Sequence, residues 1–273
     1  MSKPKQITKV ELAAKLGVSR SSLYYQPKMP VRDDEIKHQI EAVLTENPEY
    51  GHKRIAIELK LNKKRILRVM KKFGIKPRRR KVKRPFKPDD VGNEPSNFPN
   101  TSLLFCPIVE GVLWASDFTY LYFQGRFFYL ATIIDVHTRE IVGYHLARHH
   151  QSNLVLSALE DALSRNPPPL WIHSDQGSEY NSRAYISRCQ KACIQISMSA
   201  KSSPWHNPFQ ESFYDKFKVT LGYLDRFENL GELIAGIHEA LYYYNNKRIH
   251  SAHNMSPVAY KQTLITKNDR LGV

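Results

Sequence analysis

One carboxylate set into an apolar, β-branched run constrains this chain more than any other feature. The stretch Leu113-Trp114-Ala115-Ser116-Asp117-Phe118-Thr119-Tyr120 reads as a strand crossing a core. Asp117 is therefore a charge where a charge is costly unless something balances it. A second carboxylate, Asp175, closes Leu170-Trp171-Ile172-His173-Ser174-Asp175 and is followed by Gln176-Gly177-Ser178-Glu179-Tyr180, where Gly177 permits a sharp exit from the strand. A third, Glu211, comes after 35 intervening residues. It lies in Pro208-Phe209-Gln210-Glu211-Ser212-Phe213-Tyr214-Asp215-Lys216-Phe217-Lys218, a helix with Asn207 as N-cap and Pro208 at its first position. Glu211 is expected to face out of the first turns.

Three carboxylates in one cleft repel one another, and divalent metal is the natural answer. Hard Mg²⁺ prefers oxygen ligands, and two ions roughly 3.5–4 Å apart hold attacking and leaving oxygens in line. The chemistry this predicts is phosphodiester hydrolysis or transesterification. Asp117, in the central strand, is assigned to bridge both Mg²⁺ ions, with Asp175 and Glu211 each completing one; Mn²⁺ is an acceptable substitute.

The surrounding pattern alternates strand, hairpin and helix. Strands are expected at 113–120, at 127–134 after the Gln124-Gly125 turn, and at 140–147, followed by a helix at 153–164. A strand at 170–174, a helix near 182–191, a short strand at 195–198 and a long loop to Asn207 complete an α/β layered sheet.

The three acidic windows resemble the catalytic core of retroviral integrases and of bacterial insertion-sequence transposases. Within that superfamily the chain is most similar to the second-frame (OrfB-type) product of the insertion-sequence-three family. The likeness is carried by Trp114-Ala115-Ser116-Asp117-Phe118-Thr119-Tyr120, His173-Ser174-Asp175-Gln176-Gly177-Ser178-Glu179-Tyr180 and Gln210-Glu211-Ser212-Phe213. Lys218 stands seven residues after Glu211, where the family carries a basic residue. Seven residues are two helical turns, so both share a face and Lys218 is placed to hold a DNA phosphate. The closing run Tyr244-Asn245-Asn246-Lys247-Arg248-Ile249-His250-Ser251 with Ser256-Pro257 is similar as well.

The resemblance implies a ribonuclease-H-like fold with Asp117 and Asp175 on neighbouring strands. It also implies a DDE transposase that exposes a 3′-hydroxyl at an element end and joins it to target DNA. A homo-oligomer of at least two copies is implied too, as is an upstream-frame (OrfA) partner. Two departures from the family pattern are Lys201-Ser202-Ser203-Pro204-Trp205-His206-Asn207-Pro208-Phe209-Gln210 before the glutamate and Ala252-His253-Asn254-Met255 in the closing motif.

Charge supports a polyanion partner independently. The formal net charge is +15, and residues 1–100 hold 25 Lys/Arg against 11 Asp/Glu, leaving nearly balanced charge in the remainder. Lys63 through Lys87 holds 14 Lys/Arg and no acid, a footprint for double-stranded DNA. The expected DNA contacts are Arg20, Lys63, Lys64, Arg68, Lys71, Lys72, Arg78, Arg79 and Arg80, joined by Lys201 and Lys218 near the acids. Two helix-turn-helix patterns frame these residues. In the first, Thr8 and Glu11 form a capping box, Leu12 and Leu16 an apolar pair, and Ser19 caps a short recognition helix exposing Arg20. The second has helices near 35–45, 53–59 and 62–73, with Ile66, Met70 and Phe73 as the last helix's apolar stripe.

The organisation expected is therefore all-α DNA-binding segments at 1–30 and 31–75 and a basic, proline-rich linker at 76–105. An integrase-type catalytic core at 106–262 and a tail at 263–273 follow. Asp135 reads as a turn residue and Glu179 as a support for Asp175. His173 is either a core histidine or a substrate contact. Trp205 and His206 could grip DNA ends, and Arg248 and His250 either contact DNA or pack. Cys106, Cys189 and Cys193 fit neither a zinc site nor a disulfide framework, and the first hundred residues lack a His-His-Cys-Cys set. No leader and no apolar run of membrane-spanning length is found, so the expected location is the cytoplasm, on the nucleoid. A metal nuclease without strand transfer and a catalytically silent DNA-binding regulator are the competing classes.

Overall fold

The computed structural model describes residues 8–24, 29–78, 98–101, 107, 109–199 and 207–271. Arg79, Arg80, Lys201, Trp205, His206, Cys106 and most of the expected linker lie outside them.

The catalytic-core region is built on a five-stranded sheet of order β3-β2-β1-β4-β5. β1 (Leu113–Phe123) pairs antiparallel with β2 (Arg126–Asp135), and β2 antiparallel with β3 (Ile141–Ala147). Gln124 and Gly125 both take positive φ, which makes the two-residue turn whose twist suits a hairpin. β4 (Trp171–Ser174) runs parallel to β1, and β5 (Gln195–Met198) parallel to β4. Parallel neighbours need crossovers, and the helices α5 (Ser152–Arg165) and α6 (Arg183–Lys191) supply them.

Side-chain alternation sorts the sheet into two faces. Trp114, Ala131, Ile133, Val142 and Ile172 bury against α5 and α6. Leu113, Ala115, Leu121 and Leu130 bury on the opposite face against α7 (Pro208–Leu221) and α8 (Leu230–Asn246), which contribute Phe213, Phe217 and Leu241. Each such large apolar side chain contributes about 1.5–3 kcal/mol by leaving water. The expected strands and helices are present, with β1 three residues longer than anticipated. The last helix, α9 (Pro257–Leu271), runs through the boundary drawn at 262, so the expected tail is a continuation of a helix.

The amino-terminal part begins with α1 (Lys9–Lys15), capped reciprocally by Thr8 and Glu11. A 3₁₀ turn at Arg20–Tyr24 stands where a recognition helix was expected, and Leu12 and Leu16 are exposed rather than packed as a pair. The second pattern forms as anticipated: α2 (Met29–Glu46), α3 (His52–Glu58) and α4 (Lys63–Lys72) surround Ile36, Ile40, Ile55, Ile66, Val69 and Met70. Ile249, from the closing motif, completes that core.

That insertion explains the closing motif. Arg248 forms a buried ion pair with Glu49, the Ile249 amide donates to the Tyr50 hydroxyl at 2.7 Å, and the Tyr243 hydroxyl donates to Asn47. Asn245 clasps Ile141 through both its backbone groups. His250 is paired through its backbone with Met255, and burial, then the Arg248 charge, depresses its imidazole to about 3. Arg248 and Ile249 therefore fasten the helical module to the end of α8 and His250 packs within the closing motif, which resolves the two expected roles of Arg248 and His250 in favour of packing. Among the described residues, no helix is long and apolar enough to cross a membrane.

Candidate active site

Strand register brings the first two carboxylates together. Ala115 of β1 lies opposite His173 of β4; Asp117 stands two residues further along β1 and Asp175 just past the end of β4, close enough for the Asp175 charge to act on Asp117. Gly177 holds the Asp175 side chain from behind: its amide donates to Asp175 Oδ1 at 2.9 Å. A Cβ on Gly177 would come within 2.9 Å of Glu179 Oε2 and 3.0 Å of Asp175 Oδ1, so a side chain here would push both carboxylates aside.

Helix α7 and its N-cap are stapled to β1 at Ala115, Ser116 and Asp117. Asn207 Nδ2 donates to the Ser116 carbonyl at 3.1 Å, and Gln210 Nε2 donates to the carbonyls of Ala115 at 2.6 Å and Thr132 at 2.9 Å. The Tyr214 hydroxyl donates to the Asp117 carbonyl at 2.7 Å, while Thr132 Oγ1 lies 2.9 Å from Gln210 Oε1 and 2.8 Å from the Tyr214 oxygen, with one proton to share between them. Asn207 thus stands at the N-cap position, but its side chain caps nothing and reaches the strand instead. Residues 207, 210 and 214 share one helix face, and Glu211, next to the buried Gln210, is exposed in the first turn. Gln210, Tyr214 and Thr132 were not anticipated as site residues. The available signal was a polar residue in an otherwise apolar helical stripe.

The electrostatics agree with this placement. Burial, and next the Asp175 charge, pushes the Asp117 carboxyl up to about 7; Glu211 adds to the rise, while the Phe118 amide and Lys218 oppose it. Burial also raises Asp175, with Glu179 adding to it and the Gly177 amide opposing. Lys218 is half-buried, with its ammonium 5.1 Å from the centroid of the Tyr120 ring. Three hard carboxylates whose charges disfavour one another are a donor set suited to a divalent cation. Among the described residues, no three His, Cys, Asp or Glu side chains are grouped closely enough to hold an ion as they are oriented.

Neighbouring residues take definite roles. Glu179 is buried and accepts from Ser178, and its Oε1 lies 2.8 Å from His150 Nδ1. His173 is buried, with Nδ1 2.9 Å from Ser197 Oγ, which makes it a core histidine. Asp135 accepts from the amides of Gly111, His137 and Thr138, the turn role expected of it. Cys189 is buried and Cys193 exposed, both as free thiols.

The expected DNA contacts divide. Lys63, Lys64 and Lys71 are exposed on α4, and Arg20 on the 3₁₀ turn. Arg68 and Lys72 instead hold the covered carboxylate of Asp33, Arg68 at 2.5 and 2.8 Å and Lys72 at 3.1 Å, which pulls Asp33 below the usual carboxylate range. Arg78 is exposed as well, its guanidinium 5.1 Å from the centroid of the exposed Tyr223 ring and its amide on the Pro48 carbonyl.

The sheet is mixed, with Asp117 on its central strand and the charges of Asp175 and Glu211 acting on it. Two models described as "Integrase core domain" match, over residues 110–204 and 192–257. The insertion element IS600 31 kDa protein of Shigella sonnei is 33% identical over 90% of this chain and 96% of its own length. The transposase for insertion sequence element IS904 of Lactococcus lactis is 32% identical over 82% of this chain and 92% of its own. A chain of the simian T-cell lymphotropic virus intasome superposes with a TM-score of 0.51 at 13% identity, covering 81% of this chain and 73% of that one, and confirms the ribonuclease-H-like fold. The protein is a transposase of the integrase-core class. It belongs to the insertion-sequence-three family.

Proposed function

We propose that the protein cleaves an element end to expose a 3′-hydroxyl and then joins that hydroxyl to target DNA, with Asp117, Asp175 and Glu211 holding two Mg²⁺ ions. The observation that supports this reading is the convergence of Asp117 on β1, Asp175 at the end of β4 and Glu211 in the first turn of α7, in a chain that matches integrase core domains. A carboxyl whose neighbours favour its proton is one whose charge a cation would stabilise.

Bound divalent metal supplies neutralisation of phosphate charge and in-line alignment of attacking and leaving oxygens. The chain's own residues do the rest. Asp117, on a strand walled by two helical layers, would hold the metal together with Asp175 and Glu211. The Gln210 and Tyr214 hydrogen bonds fix the helix that carries Glu211, and Lys218 neutralises a phosphate oxygen of the reacting strand. In the first step water forms one P–O bond as the 3′ oxygen leaves and takes a proton. In the second that 3′ oxygen forms a P–O bond to the target as a target 3′ oxygen leaves. One P–O bond forms and one breaks each time, so no external energy source is required.

Lys63, Lys64, Lys71 and Arg20 are assigned to DNA phosphates, together with Arg79, Arg80 and Lys201. Arg68 and Lys72 contribute only the share of their charge that Asp33 leaves. Two ends must be held at once, so the working species is a multimer of at least two copies, with an upstream-frame product as a further partner. The test incubates wild type and Glu211→Gln with labelled element-end DNA and a plasmid target, in Mg²⁺, Mn²⁺ or EDTA. Metal-dependent joined products from wild type alone are expected. Nicks without joining would overturn strand transfer, and DNA binding without cleavage by either protein would overturn catalysis.

A further inference from the structure

We infer that the groove running from Lys218 along the tip of the β1–β2 hairpin is a stacking platform for unpaired DNA bases next to the reacting phosphodiester. The inference rests on the reading of Asp117, Asp175 and Glu211 as the catalytic site.

The groove encloses about 650 Å³ and is lined by Arg78, Tyr120, Tyr122, Lys218 and Tyr223 among others. Its rings are conspicuously in water: Tyr120 is 62%, Tyr122 57% and Tyr223 77% exposed. Large apolar side chains on one exposed patch mark a binding surface, and three rings of one type offer flat faces rather than a pocket. Phe127, 49% exposed, joins them, with its ring centroid 5.8 Å from Tyr120 and 5.0 Å from Tyr122.

Cations select the occupant. Lys218 lies over Tyr120 at 5.1 Å and Arg78 over Tyr223 at 5.1 Å, so two of the three tyrosines carry a positive group at their face. Aromatic faces interleaved with cations suit a nucleotide strand, whose bases stack while its phosphates pair, and they suit every base alike. A groove of apolar rings without cations would suit a protein helix instead.

Position sets which strand is bound. Tyr120 is three residues and Tyr122 five residues beyond Asp117 on β1, so the platform begins about 10 Å along the strand from the site and on the strand's other face, with Lys218 reaching both across its edge. At the roughly 3.4 Å spacing of stacked nucleotides this is about three nucleotides from the reacting phosphate. Lys218 belongs to both the catalytic edge and the groove, which makes the two continuous. The ligand is therefore a short unpaired stretch flanking the cleaved bond, not duplex. A duplex buries its base faces and offers none to a tyrosine.

The test measures binding of the full chain in EDTA, where cleavage does not occur. The probes are a blunt duplex and the same duplex ending in a single-stranded flank that carries 2-aminopurine. Tighter binding of the flanked DNA with quenched 2-aminopurine is expected. The Tyr122→Ala, Tyr223→Ala double variant should lose about tenfold of that preference and leave blunt-duplex affinity unchanged, and the corresponding Phe variants should retain it. Equal affinity for both probes, or a preference that survives loss of the rings, would overturn the platform. So would a variant that binds both probes normally but changes from oligomer to monomer in light scattering, since the patch would then be an interface between copies. Failure of strand transfer alongside an intact flank preference would count against the catalytic reading and leave the platform standing.

Discussion

In metal-free protein the Asp117 carboxyl should make stability fall as pH rises from about 4 to about 7. In the unfolded chain an aspartate titrates near about 3.9, while in the fold burial and the Asp175 charge raise Asp117 to about 7. Between those values the native state keeps a proton that the unfolded state has released, so stability declines with pH. The contribution is fully present below the unfolded value and lost as pH passes the folded one. Three pK units at about 1.4 kcal/mol each set a ceiling of about 4 kcal/mol, which the partial solvent access of Asp117 reduces. Asp117→Asn mimics the protonated side chain and should remove the dependence. In EDTA at pH 8 the variant should melt up to about 10 °C above wild type, with the gap closing toward pH 5. Mg²⁺ should narrow the gap at pH 8 by stabilising wild type. Thermal scans of both proteins from pH 5 to 8 provide the measurement, and a gap that stays constant with pH would refute the argument.

Four further outcomes follow from named residues. Gln210→Leu strips the buried Ala115 and Thr132 carbonyls of their donor. It should cost about 2–4 kcal/mol in urea denaturation and abolish DNA joining even where the variant is folded. Arg248→Ala leaves Glu49 buried without its guanidinium, a loss of about 3–5 kcal/mol that Glu49→Leu in the same protein should largely recover. Lys63→Ala and Lys64→Ala should each weaken duplex binding and lower the slope of log affinity against log salt by about one in anisotropy titrations. Arg68→Ala should instead lower the melting temperature, because Asp33 loses a partner.

The elements of the catalytic core were legible because their signals are local. Alternation along 113–120 and 127–134 identifies strands without knowledge of what they pack on, and the Asn207-Pro208 start marks α7. Asp117 and Asp175 stood out as charges within and at the end of apolar runs, Glu211 by its place in a helix with a legible start, and Lys218 through the family resemblance. The first helix-turn-helix pattern illustrates the limit. Leu12 and Leu16 have helical spacing, yet both are exposed, since periodicity states which residues share a face and not whether anything covers it.

The linear chain thus determined where strands and helices form and which charges sit in costly places, because hydrophobic period, capping and turn chemistry act within a few residues. Only the tertiary structure decided how those charges are used. The register of β1 on β4 makes Asp117 and Asp175 neighbours, and Gln210 and Tyr214 reach strand carbonyls about 80–100 residues away in sequence to fix Glu211's helix. Asp33 takes up Arg68 and Lys72, and Glu49 takes up Arg248 across 199 residues. Partners at such separations satisfy buried polar groups through three-dimensional proximity alone, which no local pattern encodes.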